Sequence, residues 1–76
     1  MSAQGVVIFN TTSAALRAEK VVRRAGLDAK LVPTPRHLSS DCGIALRFNW
    51  PDADAVRRAL EEANVPVEGL HPLDET

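Results

Sequence analysis

Within ten residues, Thr34-Pro35-Arg36-His37-Leu38-Ser39-Ser40-Asp41-Cys42-Gly43, the chain gathers its only cysteine, one of its two histidines, two serines and an arginine. The cysteine is the most capable of these, because a thiolate is a strong nucleophile near neutral pH, where a hydroxyl needs an activating base. Such chemistry needs an accessible thiol and nearby positive charge. Gly43, next to Cys42, lets another molecule approach the backbone closely, and Arg36, His37 and Arg47 are cations of the kind that lower a thiol pKa. Asp41 acts in the opposite sense through its negative charge. A free cysteine also serves as a small buried hydrophobe, so residue type alone leaves a structural role for Cys42 open.

Other chemistries are less well supplied. A Cys/His hydrolase would use His37, five positions before Cys42, but it also needs an orienting third group, an oxyanion site and a substrate cleft. A chain of 76 residues leaves little room for these. One cysteine and two distant histidines fall short of a closed tetrahedral metal set, so neither a metal nor a cofactor is expected. His71, beside Pro72 near the tail, has a weaker claim than His37, and a lone loop histidine is more often simply solvated. A single thiol makes no internal disulfide.

Nine Lys and Arg against ten Asp and Glu give a formal net charge of −1. Such a balance supplies no counterion-release drive toward nucleic acid. The pairs Arg23-Arg24 and Arg57-Arg58 are interleaved with Glu19, Glu61 and Glu62, which reads as solvated helix faces. The longest apolar run, residues 6–9, is far too short to span a membrane. The first residues, Met1-Ser2-Ala3-Gln4, lack the basic and apolar stretches of a secretory signal. A cytoplasmic protein of one domain, residues 1–76, is expected, and the unpaired cysteine suits a reducing compartment.

A domain of this length buries only about 60% of the surface its unfolded chain exposes, so the elements that position the loop must pack economically. Val6-Val7-Ile8-Phe9 reads as a short buried strand, followed by turn and cap residues at Asn10-Thr11-Thr12-Ser13. Ala15, Ala18, Val22 and Ala25 then recur at helical spacing, and Gly26 stands where a left-handed stop is needed, predicting a helix over roughly 13–25. Ala29-Lys30-Leu31-Val32 is a second strand, ended by Pro33. Thr34-Pro35 predicts a single turn over residues 35–38. A third strand over residues 44–48 directs Ile44, Leu46 and Phe48 to one face and Ala45 and Arg47 to the other. Pro51 and Asp52 open a second helix with Ala53, Val56, Leu60 and Ala63 inward, and it stops near Asn64. Residues 65–70 form a final strand, which Pro66 and Gly69 confine to a sheet edge. Trp50 shields one end of the core.

The order is β-α-β twice, in halves of equal length. Right-handed crossovers put both helices on one face, and the turn between strands two and three makes those antiparallel neighbours. The fold class is α+β, a ferredoxin-like split βαβ sandwich (βαββαβ) with an antiparallel sheet. The sheet's other face is left without helices. With residues 6–9 in a central strand it should be partly apolar, which predicts a partner or a homo-oligomer through that open face.

Pro33-Thr34-Pro35-Arg36, Leu38-Ser39-Ser40 and Cys42-Gly43 followed by Ala45-Leu46-Arg47-Phe48 together resemble a small bacterial domain family. That family was first catalogued as of unknown function and is described as selenium/sulfur (Se/S) carrier protein-like. The similarity extends to residues 12–20 and covers nearly the whole chain. His37 and Asp41 fall between the matching motifs and gain nothing from it. The resemblance implies a carrier rather than an enzyme: Cys42 would accept sulfur or selenium as a persulfide or selenopersulfide from a cysteine-desulfurase-like donor and pass it to an acceptor protein. In that reading Cys42 is the carrier thiol and Gly43 gives access. Arg36, with Arg47 as second candidate, stabilises the leaving group, and Ser39 and Ser40 donate hydrogen bonds to a terminal sulfur anion. The reading of different class is a non-catalytic interaction or small-ligand regulatory domain with a structural Cys42. The two differ in whether the thiol reacts.

Overall fold

A computed structural model describes residues 4–38 and 43–73. The β-branched run near the N-terminus forms β1 (Gln4–Ile8). Thr11 then caps α1 (Thr12–Arg24), its Oγ1 accepting a 3.1 Å hydrogen bond from the Ala14 N–H, one of the donors a helix start leaves unpaired. After β2 (Ala29–Pro33) and the loop, the chain continues through β3 (Ile44–Asn49) and a single 3₁₀ turn at Trp50–Asp52. It then forms α2 (Ala53–Glu62) and β4 (Gly69–Pro72). The four strands form one antiparallel sheet in the order β2-β3-β1-β4, which bears out the expected βαββαβ sandwich.

Both helices lie on one face. Ala14, Ala15, Ala18 and Val22 of α1 and Val56 and Leu60 of α2 share a core with Val7, Phe9, Leu46 and Phe48. The inward face of α1 is mostly alanine, so this helix sits close to the sheet. Ala25, expected in its stripe, is exposed, because the helix ends at Arg24 and Ala25 only caps it. Arg17 ties the helices together, donating through Nη2 to the Ala63 carbonyl at 2.8 Å, and Arg23 Nε reaches the Ala29 carbonyl of β2 at 3.1 Å.

Both helices end in the same way. Gly26 (φ 83°) follows α1 and Asn64 (φ 57°) follows α2, each in the left-handed region. The N–H groups of Gly26 and Leu27 bond the carbonyls of Arg23 and Val22, and those of Asn64 and Val65 bond the carbonyls of Glu61 and Leu60. These are paired Schellman closures, with Leu27 and Val65 turned back onto the core. The second closure corrects the expected last strand. Val65 is consumed by the helix stop, and β4 runs over Gly69–Pro72 rather than residues 65–70, though it does lie at a sheet edge as expected.

The face without helices is not bare. Val6, Ile8 and Ala45 point to it and are buried, with Val32, Leu38 and Leu73 packed against them. The apolar area on which an open-face partner was expected is thus partly covered by the chain itself.

Two glycines allow this geometry to be tested. A Cβ on Gly5 would collide with Cε3 of Trp50, whose ring stacks on Phe48 at a centroid distance of 5.9 Å, and would lie 2.9 Å from the His71 carbonyl oxygen. Gly26 has open space around it and only its backbone angle to defend. Urea unfolding should therefore find Gly5→Ala destabilised by about 1–3 kcal/mol through overpacking. Gly26→Ala should lose about 1–2 kcal/mol through left-handed strain alone, and Asn64→Gly should gain a few tenths of a kcal/mol to ~1 kcal/mol.

Candidate functional site

The β2–β3 loop is held at its base and again at Leu38. Pro33 and Ile44 close the β2–β3 ladder, and one step further the Thr34 N–H donates to the Gly43 carbonyl at 3.0 Å. The expected turn over residues 35–38 is present, closed by a 3.0 Å bond from the Leu38 N–H to the Pro35 carbonyl. Leu38 then folds onto Val6, Ile8 and Ala45. The first half of the loop therefore lies over the helix-free face instead of projecting from the sheet's end.

Of the residues expected to act, Arg36 and Gly43 are exposed, and among the described residues a Cβ on Gly43 would meet nothing within 4 Å. Ser39, Ser40, Asp41 and Cys42 lie outside the described residues. Arg47 stands four residues along β3 from Gly43, about 13 Å at the rise of a strand. The ladder sets it opposite Val6 on one side and Lys30 on the other. It is thus grouped with the far part of the sheet face rather than with the turn that bears Arg36.

The ladder also brings together two residues with no link in the sequence. Val6 pairs with His71, so His71 points to the same face as Leu38. His37 from the turn and His71 from β4 then line one hollow of about 240 Å³, with Glu68 at its rim and Ile8 and Leu38 as apolar walls. The His71 ring lies over Gly69, 3.2 Å from where a Cβ would stand. Only the correct span of β4 reveals this meeting, and a strand over residues 65–70 leaves His71 in the tail. Among the described residues no three His, Cys, Asp or Glu side chains are grouped to hold a metal, and no helix is long and apolar enough to cross a membrane.

Four antiparallel strands in this order under two helices, with a pinned loop between β2 and β3, make the molecule a ferredoxin-like α+β sandwich. Residues 4–72 match the family described as "Putative Se/S carrier protein-like", and the chain belongs to that family. The match takes in every strand, both helices and the whole of the loop. No curated protein and no solved structure matches the chain significantly.

If Leu38 is the anchor of the loop, truncating it should loosen the loop before it loosens the fold. Hydrogen exchange on Leu38→Ala should show the amides of Thr34 and Leu38 exchanging at least about tenfold faster, with those of Val7 and Leu46 shifted only by the smaller global loss of about 1–2 kcal/mol.

Proposed function

We propose that the protein is a sulfur or selenium carrier that acts through Cys42 and is not itself an enzyme. The observation that carries this reading is family membership across residues 4–72, which spans the cysteine-bearing loop. The loop supports it physically. Its base is pinned at Thr34 and Gly43, its turn is seated through Leu38, and Arg36 and Gly43 are exposed.

In the loading step, the Cys42 thiolate attacks the outer sulfur of a persulfide on a cysteine-desulfurase-like donor. The donor's S–S bond breaks, its cysteine leaves as a thiolate, and a new S–S bond forms at Cys42. No external oxidant or reductant is required, and delivery to an acceptor thiol repeats the exchange; a selenopersulfide would transfer by the same step. Such exchange is fastest when the leaving sulfur is stabilised as an anion, the role proposed for Arg36, with Ser39 and Ser40 as hydrogen-bond donors to the terminal sulfur. Gly43 keeps the approach open, and Arg47 serves as the more distant cation. The carrier works in the cytoplasm, where a lone thiol stays reduced.

A second reading, an interaction or small-ligand regulatory domain with a structural Cys42, draws on the hollow shared by His37 and His71. One experiment separates the two. After incubation with a cysteine desulfurase and L-cysteine, non-reducing intact-mass spectrometry should show the chain heavier by one sulfur atom. That increment should be lost on reduction and absent from Cys42→Ser. Arg36→Ala should slow loading about fivefold, the equivalent of ~1 kcal/mol for one solvent-screened charge. An unloaded chain beside a turning-over desulfurase, together with alkylation of native Cys42 no faster than of the unfolded chain, would sink the carrier reading in favour of the second.

A further inference from the structure

The ladder places one residue from each strand in a single row across the helix-free face: His71 on β4, Val6 on β1, Arg47 on β3 and Lys30 on β2. Lys30 and Arg47 are directly opposed, their Cβ atoms about 5 Å apart, an arrangement that costs stability because the charges are alike. On the helical side Arg23 is paired with Glu19, Arg57 with Asp54, and Arg17 bonds a helix-end carbonyl. Among the described residues neither Lys30 nor Arg47 is in an ion pair, and Asp28 lines the same hollow without bridging to either. That hollow is a small, half-open dent in the sheet surface, bounded also by Gln4, Ala29, Phe48 and Asn49.

We infer that this row is a docking surface for an acidic segment of a partner protein, one of whose carboxylates seats between Lys30 and Arg47. Resting on the carrier reading, the inference identifies that partner as the protein that exchanges sulfur with Cys42. Lys30 and Arg47 outnumber the one carboxylate, Asp28, that lines the site with them, and an incoming carboxylate relieves the repulsion between the two cations. Charge complementarity of this kind raises the encounter rate and fixes orientation, as suits a partner that must bind and leave repeatedly.

The test has two arms. In the first, a hexaglutamate peptide is titrated into ¹⁵N-labelled protein. Amide shifts should concentrate at Val6, Lys30, Arg47 and Asn49. Affinity should fall about tenfold in Lys30→Glu, and the shifts should vanish at about 0.5 M salt. Lys30→Glu also converts the like-charge pair into an ion pair, so its unfolding midpoint should rise as binding falls, which excludes misfolding as the cause. Lys30→Gln, which removes the charge without reversing it, should fall between. Shifts centred instead on Lys20, Arg24, Arg36 or Arg58, or none at all, would overturn the inference.

In the second arm, Lys30→Glu should slow loading of Cys42 by the desulfurase about tenfold at low salt. Loading by a small-molecule persulfide should be unaffected. Equal desulfurase loading of both proteins refutes the docking surface and leaves the carrier standing. No loading of either refutes the carrier, and the peptide titration then decides the surface alone.

Discussion

β1 buries side chains on both of its faces, and most of the architecture answers that demand. Val6, Val7 and Phe9 are fully buried and Ile8 nearly so. An antiparallel strand normally alternates, with one face dry and the other wet. From Val6 onward this one is apolar without interruption and needs a cover on each side, each such side chain being worth roughly 1.5–3 kcal/mol when removed from water. On the side of Val7 and Phe9 the cover is two helices. On the side of Val6 and Ile8 there is no third helix, and the cover comes from Leu38 and Leu73. The β2–β3 loop, through Leu38, is thereby part of how the strand is kept dry.

The core itself is closed to chemistry. Among the described residues no polar or charged side chain is buried, and α1 presents mainly alanines to the sheet. The polar and charged groups of the described residues therefore lie at the surface. There the charges are unevenly disposed. On the helices Arg23 and Arg57 meet carboxylates and Arg17 a helix-end carbonyl, whereas on the sheet face two cations confront each other.

The elements whose signals are local were legible in the sequence. Alternation in residues 44–48 gave the two faces of β3 correctly, the cap residues around Thr11 marked the start of α1, and Gly26 marked its end. The equivalent stop at Asn64 was harder to read. The left-handed residue there is not glycine, and Val65 looks like the start of a strand until its N–H is seen bonding Leu60. That single misplacement hid the pairing of Val6 with His71, and with it the hollow that His71 shares with His37. The facing of Lys30 and Arg47 was likewise invisible, because strand register depends on contacts between residues far apart in the chain. Composition singled out the loop, but the fact that Leu38 pins it to the sheet depends on the chain crossing its face.

The two outer strands have a consequence for the molecule's life at high concentration. β2 and β4 are only five and four residues long, and each ends in a proline, Pro33 and Pro72, which has no N–H to offer. β2 also holds Lys30 against any strand that might align beside it. Short, proline-terminated, charged borders are poor templates for adding another chain's backbone. The sheet is thus discouraged from growing sideways into fibrils, and encounters with other proteins are directed to its broad surfaces, where side chains rather than backbone decide which partner is accepted.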